Sequence, residues 1–358
     1  MTFVTPKSPR RFLRNPGNST YDINTGCAGS QDEGAEVNII DKTGTEDDMT
    51  YPAVIPCVDH PTLTDRIEGA GGLNWRYYAS QTNGIWTAPN AIQHICEPLG
   101  PPAQCAGSDF TSHVVTGVNG PGQILKDLGA DGSGNCNLQP VSWVIPDGTW
   151  SDHGGPSLGY GPAWLSAIVN AVGGVYFDSN GQHSTRCNFW NNTAVFITWD
   201  DWGGWYDHIV PPIVPLGSSQ FGAGYLYGFR VPLIVVSAYT QAGTISGPAT
   251  GFNADFCKPD HQTSIYCHDF GSILAYTEHN FQLQPIDQRG TGYADKWAMD
   301  AQYIGGNVPL SEFFTLTTAR QFQVIPGPVP ASCFITPTSS CFPGYTGPVD
   351  PDNDANEQ

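Results

Sequence analysis

The chain has 358 residues and a formal net charge of -19, because 33 acidic side chains outnumber 14 basic ones. This charge argues against a nucleic-acid backbone or an anionic membrane surface as a simple electrostatic partner. The length allows one large α/β domain or two smaller ones, and an aromatic content of 12% with a charged content of 13% excludes a disordered chain.

The ten cysteines predict an oxidising compartment, and no Cys-x-x-Cys spacing supports a zinc ribbon. Local disulfides are compatible with the spacing of three pairs, Cys96–Cys105, Cys257–Cys267 and Cys333–Cys341, although spacing leaves the connectivity open. Residues 1–20 are basic but lack the apolar run of a signal peptide, and no apolar stretch is long enough to span a membrane. We therefore expect an extracytoplasmic protein, periplasmic or secreted, whose signal is not within this chain.

The first regular elements are predicted after residue 50. Residues 1–50 have few apolar positions, which indicates an irregular lead-in. Thr62 is a candidate N-cap for a short helix in which Leu63 and Ile67 share one face. The aromatic residues of 75–78 then predict a strand.

Residues 141–161 predict a strand followed by a polar loop, and a helix begins after them. Pro162 suits the first turn of that helix. A strand–loop–helix unit places its loop at the ligand-binding edge of a sheet. His153 lies in this loop. On the residues alone, a histidine hydrogen-bonded to its loop neighbours is the favoured interpretation.

The most informative stretch is TAVFITWDDWGGWYDHIVPP, residues 193–212. Its apolar run predicts a buried strand, and two adjacent carboxylates, Asp200 and Asp201, follow directly. Like charges repel unless a cation lies between them, so a divalent metal ion is the simplest partner. Trp199, Trp202, Trp205 and Tyr206 are expected to enclose the acids. The alternative is a strand end followed by a solvated polar turn.

Two further elements follow this stretch. Residues 233–236 predict a second buried strand, and the preceding Arg230 is expected to form a structural ion pair. Residues 268–281 predict a helix in which His268 is a capping or packing residue and not a metal ligand. Residues 325–358 are rich in proline and glycine and end in acids, which is typical of a tail.

Five blocks of the sequence together resemble one known family. They are CVDHPTLTDRIEGAGGLNWRYYA, WVIPDGTWSDHGG with the helix after it, the 193–212 stretch, GFRVPLIVVS and HDFGSILAYTE. Their order is that of the phosphoesterase family of bacterial and fungal phospholipases C and acid phosphatases of the A type, within the alkaline-phosphatase superfamily. The resemblance covers residues 51 to 324.

The resemblance implies a three-layer α/β/α sandwich of the alkaline-phosphatase type, incomplete at the N-terminus. It also implies one divalent metal ion and hydrolysis of a phosphate ester. By position, Asp200 and Asp201 carry over as metal ligands and His153 as the active-site residue that contacts the phosphoryl oxygens, with His208 a lesser candidate behind the ligands. The predicted organisation is a lead-in over 1–50, a phosphoesterase-like α/β domain over 51–324 and an acidic tail over 325–358.

The sequence departs from the family pattern in one respect that affects the expected function. The family begins with a strand and the run Glu-Asn-Arg-(Ser/Thr)-Phe-Asp, which supplies further metal ligands, and a later loop supplies a Ser or Thr nucleophile. Residues 1–50 contain no Glu-Asn-Arg. Half of the active site is therefore expected to lie outside this chain. The first expectation is a phosphoric ester hydrolase with a small-molecule substrate, the second a phospholipase C acting on phospholipid head groups, and the third a non-catalytic extracellular binding or structural protein.

Overall fold

The computed structural model describes these residues: 3–6, 26–29, 37–40, 55–82, 86–117, 120–151, 160–203, 205–212, 227–247, 257, 266–286, 298–300, 308–326 and 329–343. The strands are β1 (Phe3–Pro6), β2 (Val37–Ile40), β3 (Trp75–Tyr78), β4 (Pro98–Leu99), β5 (Gln104–Cys105), β6 (Val114–Val115), β7 (Val141–Val144), β8 (Val175–Asp178), β9 (Gly181–Ser184), β10 (Ala194–Thr198) and β11 (Leu233–Ser237). The helices are α1 (Leu63–Gly69), α2 (Gln93–Cys96), α3 (Ser108–His113), α4 (Gly120–Asp127), α5 (Gly161–Val172), α6 (Phe270–Asn280) and α7 (Ala331–Ile335).

The centre of the fold is a parallel sheet in which β3 lies between β6 and β7. Successive side chains of β3 point to opposite faces of the sheet, so the two faces pack against different groups of helices. Trp75 and Tyr77 pack against residues of α1, α2 and α3 on one face. Tyr78 packs with residues of α4, α5 and α7 on the other. Helices thus cover both faces of a parallel sheet, and the predicted α/β fold class is confirmed.

Local sequence signals explain why these elements begin where they do. Thr62 and Asp65 form a reciprocal capping box at the start of α1, with the Thr62 N–H donating to Asp65 Oδ2 at 2.7 Å. Pro162 lies in the first turn of α5, where its missing N–H costs no intrahelical hydrogen bond. The predicted starts of α1 and α5 and the predicted strands over β3 and β7 are confirmed, and the helix predicted over 268–281 is observed as α6, which begins two residues later.

The strands β10 and β11 are where predicted, but the prediction that they are buried is wrong. They pair antiparallel with each other, with Ala194 opposite Ser237 and Thr198 opposite Leu233. The apolar positions of β10 are half-buried, and Ile234 in β11 is 46% exposed. Phe196 packs edge-on against Tyr276 of α6, at 5.2 Å between ring centroids, which covers one side of the pair.

Disulfides connect the elements, and the three predicted pairs are confirmed. The remaining cysteines form Cys27–Cys57 and Cys136–Cys187. Within the helices that the structure describes, none is both long and apolar enough to cross a membrane.

The two ends of the chain contain more structure than the sequence suggested. In the predicted lead-in, β1 and β2 pair antiparallel, and Cys27 is buried. In the predicted tail, Phe334 and Phe342 are fully buried in the core beside α5. Residues 331–342 are therefore part of the packed body, because a ring buried there contributes apolar area that a solvated tail would not. The domain boundaries themselves remain a prediction.

Candidate functional site

The two adjacent aspartates lie just beyond the end of β10. Asp200 and Asp201 are both exposed. Asp201 Oδ1 accepts a hydrogen bond from the Gly203 N–H at 2.5 Å, which closes a tight turn after the strand. Gly203 has a φ of +64°, which suits glycine better than any residue with a Cβ. The turn therefore fixes the direction of the Asp201 carboxylate.

The aromatic residues of this stretch do not enclose the acids, so that expectation is wrong. Trp205 is 73% exposed and Tyr206 is 82% exposed. Trp202 and Tyr206 each meet the ring of Phe229 at steep angles, with centroids 5.8 and 5.7 Å apart. Trp202 and Tyr206 thus pack on Phe229, and all three aromatic residues of this stretch, Trp202, Trp205 and Tyr206, are exposed next to the aspartates in the chain.

The third acid of the stretch is already paired with a cation. Arg230 Nε and Nη2 donate to the two carboxylate oxygens of Asp207 at 2.6 and 3.0 Å. The hydrogen bond from Arg230 lowers the pKa of Asp207 to about 2. The predicted structural ion pair of Arg230 is thus confirmed. His208 is 81% exposed, and its Nδ1 lies 3.4 Å from Asp207 Oδ1.

Asp200 and Asp201 supply ligand atoms of the right type for a divalent cation, but too few of them. Carboxylate oxygens are ordinary ligands for such ions, but an ion takes four or more ligands. Within the described part of the chain, no third ligand atom of a histidine, cysteine or acid converges with either aspartate. His153 lies outside the described residues, in the segment between β7 and α5. The structure therefore does not test the predicted combination of His153, Asp200 and Asp201.

A different group of ligand-type side chains does converge. The ligand atoms of Glu68, Asp109 and His113 all lie within 4.8 Å of one another. Asp109 and His113 are four residues apart in α3, a spacing that the sequence displays. Glu68 comes from α1, far earlier in the chain, so only the folded structure brings it to the other two.

Sequence reasoning also underestimated His268. Its Nδ1 lies 2.9 Å from Asp300 Oδ2 and its Nε2 lies 2.7 Å from Glu312 Oε1. Burial by itself would lower the pKa of His268, but the contacts with Asp300 and Glu312 outweigh burial and raise the pKa to about 9. The imidazole is thus a buried cation between two carboxylates. The cap of α6 is the neighbouring Asp269, whose pKa is raised to about 6 by burial and then by the charge of Asp300.

Comparison with known proteins places the chain in a family. The profile of the phosphoesterase family matches residues 16–284. The chain belongs to the phosphoesterase family. The match includes the aspartate pair and the segment between β7 and α5, so the resemblance seen in the sequence is confirmed.

Among curated relatives, phospholipases C predominate. A non-hemolytic phospholipase C of Burkholderia pseudomallei is 28% identical over 158 residues, which is 39% of this chain and 21% of that protein. Phospholipase C A of Mycobacterium tuberculosis is 32% identical over 137 residues, covering 34% and 23%. A non-specific phospholipase C6 of Arabidopsis thaliana is 39% identical over 70 residues, covering 17% and 14%. The chain thus aligns with less than a quarter of each of these relatives, and no solved structure matches it.

Proposed function

We propose that this chain forms part of a phosphoric ester hydrolase, with Asp200 and Asp201 as metal ligands and His153 at the phosphoryl group. The observation that carries the proposal is the pair of adjacent, exposed carboxylates directly after β10, within the segment that matches the phosphoesterase family. A divalent ion bound there would stabilise negative charge on the phosphoryl oxygens.

The residues of the chain have distinct roles in this proposal. The Gly203 N–H holds the Asp201 carboxylate in one direction, so less side-chain entropy is lost when an ion binds. Arg230 neutralises Asp207 and keeps that carboxylate from competing with the aspartate pair. His153 donates a hydrogen bond to a phosphoryl oxygen. We assign the hydroxyl nucleophile to no residue of this chain.

A phospholipase C is the second candidate, and one observation favours it. Trp202, Trp205 and Tyr206 are exposed and adjoin the aspartates in the chain, and Trp and Tyr are the side chains that prefer the boundary between water and lipid. The relatives named above are phospholipases C. The net charge of -19 favours a zwitterionic head group over an anionic one. Five disulfides are consistent with the extracytoplasmic location that such an enzyme would occupy.

Two chromogenic substrates separate the candidates. The chain is assayed alone and again with the missing parts of a family member supplied, namely those that carry the Glu-Asn-Arg run and the nucleophile. The substrates are p-nitrophenyl phosphate and p-nitrophenylphosphorylcholine, in Mg²⁺, Ca²⁺, Mn²⁺ or Zn²⁺ and again with a chelator. Asp200→Asn is compared with Asp131→Asn, a change at an exposed loop carboxylate. We expect turnover to disappear with chelator and to fall roughly a hundredfold or more in Asp200→Asn, but not in the control.

The ester that is hydrolysed distinguishes the two classes of enzyme. Release from the phosphate monoester supports a general phosphatase, and release from the choline diester alone supports a phospholipase C. If the chain is folded by circular dichroism and releases p-nitrophenol from neither ester with any metal ion, even with the missing parts supplied, the non-catalytic alternative replaces both.

A further inference from the structure

Three metal-ligating side chains converge on the face of the sheet covered by α1 and α3. Glu68 lies in the last turn of α1, and Asp109 and His113 lie in the first and last turns of α3. Their ligand atoms all lie within 4.8 Å of one another. Glu68 is 37% exposed and His113 is 19% exposed, so solvent reaches the group while one side of it rests on the core.

A single buried residue of β3 orients two of these three side chains. The indole Nε1 of Trp75 donates to Glu68 Oε1 at 2.6 Å. The main-chain carbonyl of Trp75 accepts from His113 Nδ1 at 3.1 Å, and the indole stacks on the imidazole with centroids 4.6 Å apart. Trp75 has no exposed surface. Both ligands are therefore positioned by a residue that cannot move without disturbing the core.

The hydrogen bond at His113 Nδ1 fixes the tautomer of the ring. A carbonyl can only accept, so Nδ1 carries the proton, and a neutral His113 presents the lone pair of Nε2. That nitrogen lies 3.9 Å from Glu68 Oε1. A lone pair and a carboxylate facing each other repel, unless the ring is protonated or a cation lies between them. Metal-bound histidines usually donate their other ring N–H to a carbonyl or carboxylate, as His113 does here.

We propose that Glu68, Asp109 and His113 bind a divalent transition-metal ion such as Zn²⁺, which fastens α1 to α3. An imidazole nitrogen favours Zn²⁺ over Mg²⁺ or Ca²⁺, which prefer oxygen ligands only. Two carboxylates balance the charge of the ion, and water completes the coordination at the exposed side. The site shares no residue with the aspartate pair after β10, and it holds the two helices against Trp75 whether or not the chain hydrolyses an ester.

The test is a titration with Zn²⁺ alone. The full chain is stripped with a chelator, dialysed and titrated by calorimetry in an Asp200→Asn/Asp201→Asn background, which removes the proposed catalytic ligands. We expect about one Zn²⁺ per chain in this background, with a higher melting temperature when Zn²⁺ is present. Adding Glu68→Gln or Asp109→Asn should weaken binding at least about tenfold and reduce the melting shift.

Glu68→Gln is the informative variant, because its amide oxygen can still accept the hydrogen bond from Trp75. His113→Asn should abolish binding, and His183→Asn, at a 38% exposed histidine, is the matched control that should leave binding unchanged. Replacing Zn²⁺ by Co²⁺ adds an absorption band that reports coordination and that His113→Asn should remove. The proposal is overturned if the background binds no Zn²⁺, or if Glu68→Gln and Asp109→Asn both bind it as tightly as the background does.

Discussion

At the scale of single residues, the positive charge of His268 stabilises two largely buried carboxylates, those of Asp300 and Glu312. Asp300 is 2% exposed and Glu312 is 9% exposed, and His268 lies between them. Asp300 also accepts hydrogen bonds from Ser272 Oγ at 2.6 Å and from the Leu310 N–H at 3.0 Å, so it connects the start of α6 to the segment that precedes Phe313. Removing the imidazolium would leave two interior carboxylates without a counter-ion among the residues that the structure describes.

The pH dependence of folding should reveal this cation. The pKa of His268 is about 9 in the folded chain, compared with about 6.5 in an unfolded one. The folded state therefore binds the proton more tightly, and the stabilisation is fully present below pH 6.5 and is lost as the pH rises to about 9. The loss should amount to about 3 kcal/mol in the free energy of unfolding. Urea unfolding at pH 6, 7.5 and 9 measures it.

A substitution at His268 distinguishes its contribution to the pH dependence of stability from the contributions of other titrating groups. His268→Gln should lower the free energy of unfolding at pH 6 by about 3–5 kcal/mol, because it leaves buried charge uncompensated. The difference between this variant and the wild type should shrink towards pH 9. His183→Gln changes a more exposed histidine and should do neither. An equal difference at pH 6 and pH 9 would mean that His268 is not a cation in the folded chain.

At the scale of secondary-structure elements, an ionic contact joins the central strand to α4. Asp127, whose side chain is 1% exposed, accepts from Arg76 Nη1 at 2.7 Å and from the Tyr78 hydroxyl at 2.7 Å, both on one face of β3. Gln123 donates to its other oxygen at 2.9 Å. The burial of Tyr78 and then its bond to Asp127 raise the pKa of that tyrosine well above the ordinary value.

Arg76→Met should remove the stabilisation that the ionic contact between β3 and α4 provides. The change keeps an apolar stem and removes the charge. We therefore expect a loss of about 3–5 kcal/mol in the free energy of unfolding by urea, since Asp127 would remain buried with no cation near it in the described part of the chain. The double variant Arg76→Met/Asp127→Leu should recover much of the loss. Arg186→Met alters an exposed arginine and should change stability little. A loss in the double variant as large as in Arg76→Met would contradict this account.

These elements also show what the sequence could predict. The starts of α1 and α5 depend on neighbours within a few residues, the Thr62–Asp65 box and Pro162, and a local pattern is enough to place them. The pairing of β10 with β11 and its half-buried state depend on which residues cover the pair. Periodicity does not encode that information, so burial there was predicted wrongly.

For the candidate sites, too, the sequence predicted what depends on neighbouring residues and missed what depends on distant parts of the chain. The aspartate pair was visible because its residues adjoin in sequence, whereas the exposure of Trp205 and Tyr206 depends on the path of the chain around them. The convergence of Glu68 with His113 required the packing of two helices on Trp75, and no spacing in the sequence states it.

For the whole molecule, the disulfides divide the chain into loops of very different length. The paired cysteines are separated by 30, 9, 51, 10 and 8 residues, in chain order of the pairs. A cross-link removes more conformational freedom from the unfolded chain when it closes a longer loop. Cys136–Cys187 closes the longest of these, and its loop contains β7, α5 and the β8–β9 hairpin.

Removing single disulfides should therefore rank by loop length. Cys136→Ala/Cys187→Ala should lower the free energy of unfolding by about 4 kcal/mol, and Cys96→Ala/Cys105→Ala by about 2.5 kcal/mol, on the loop-entropy scale. Each pair contains one buried cysteine, Cys187 or Cys96, and Cys105 also packs against the core, so the shorter loop loses no less packing than the longer one. A greater loss in the Cys136→Ala/Cys187→Ala variant therefore reports the loop. Urea unfolding under non-reducing conditions measures both. A greater loss from the shorter loop would show that native contacts of the Cys96–Cys105 segment, and not the entropy of the unfolded chain, determine how the cross-links stabilise this fold.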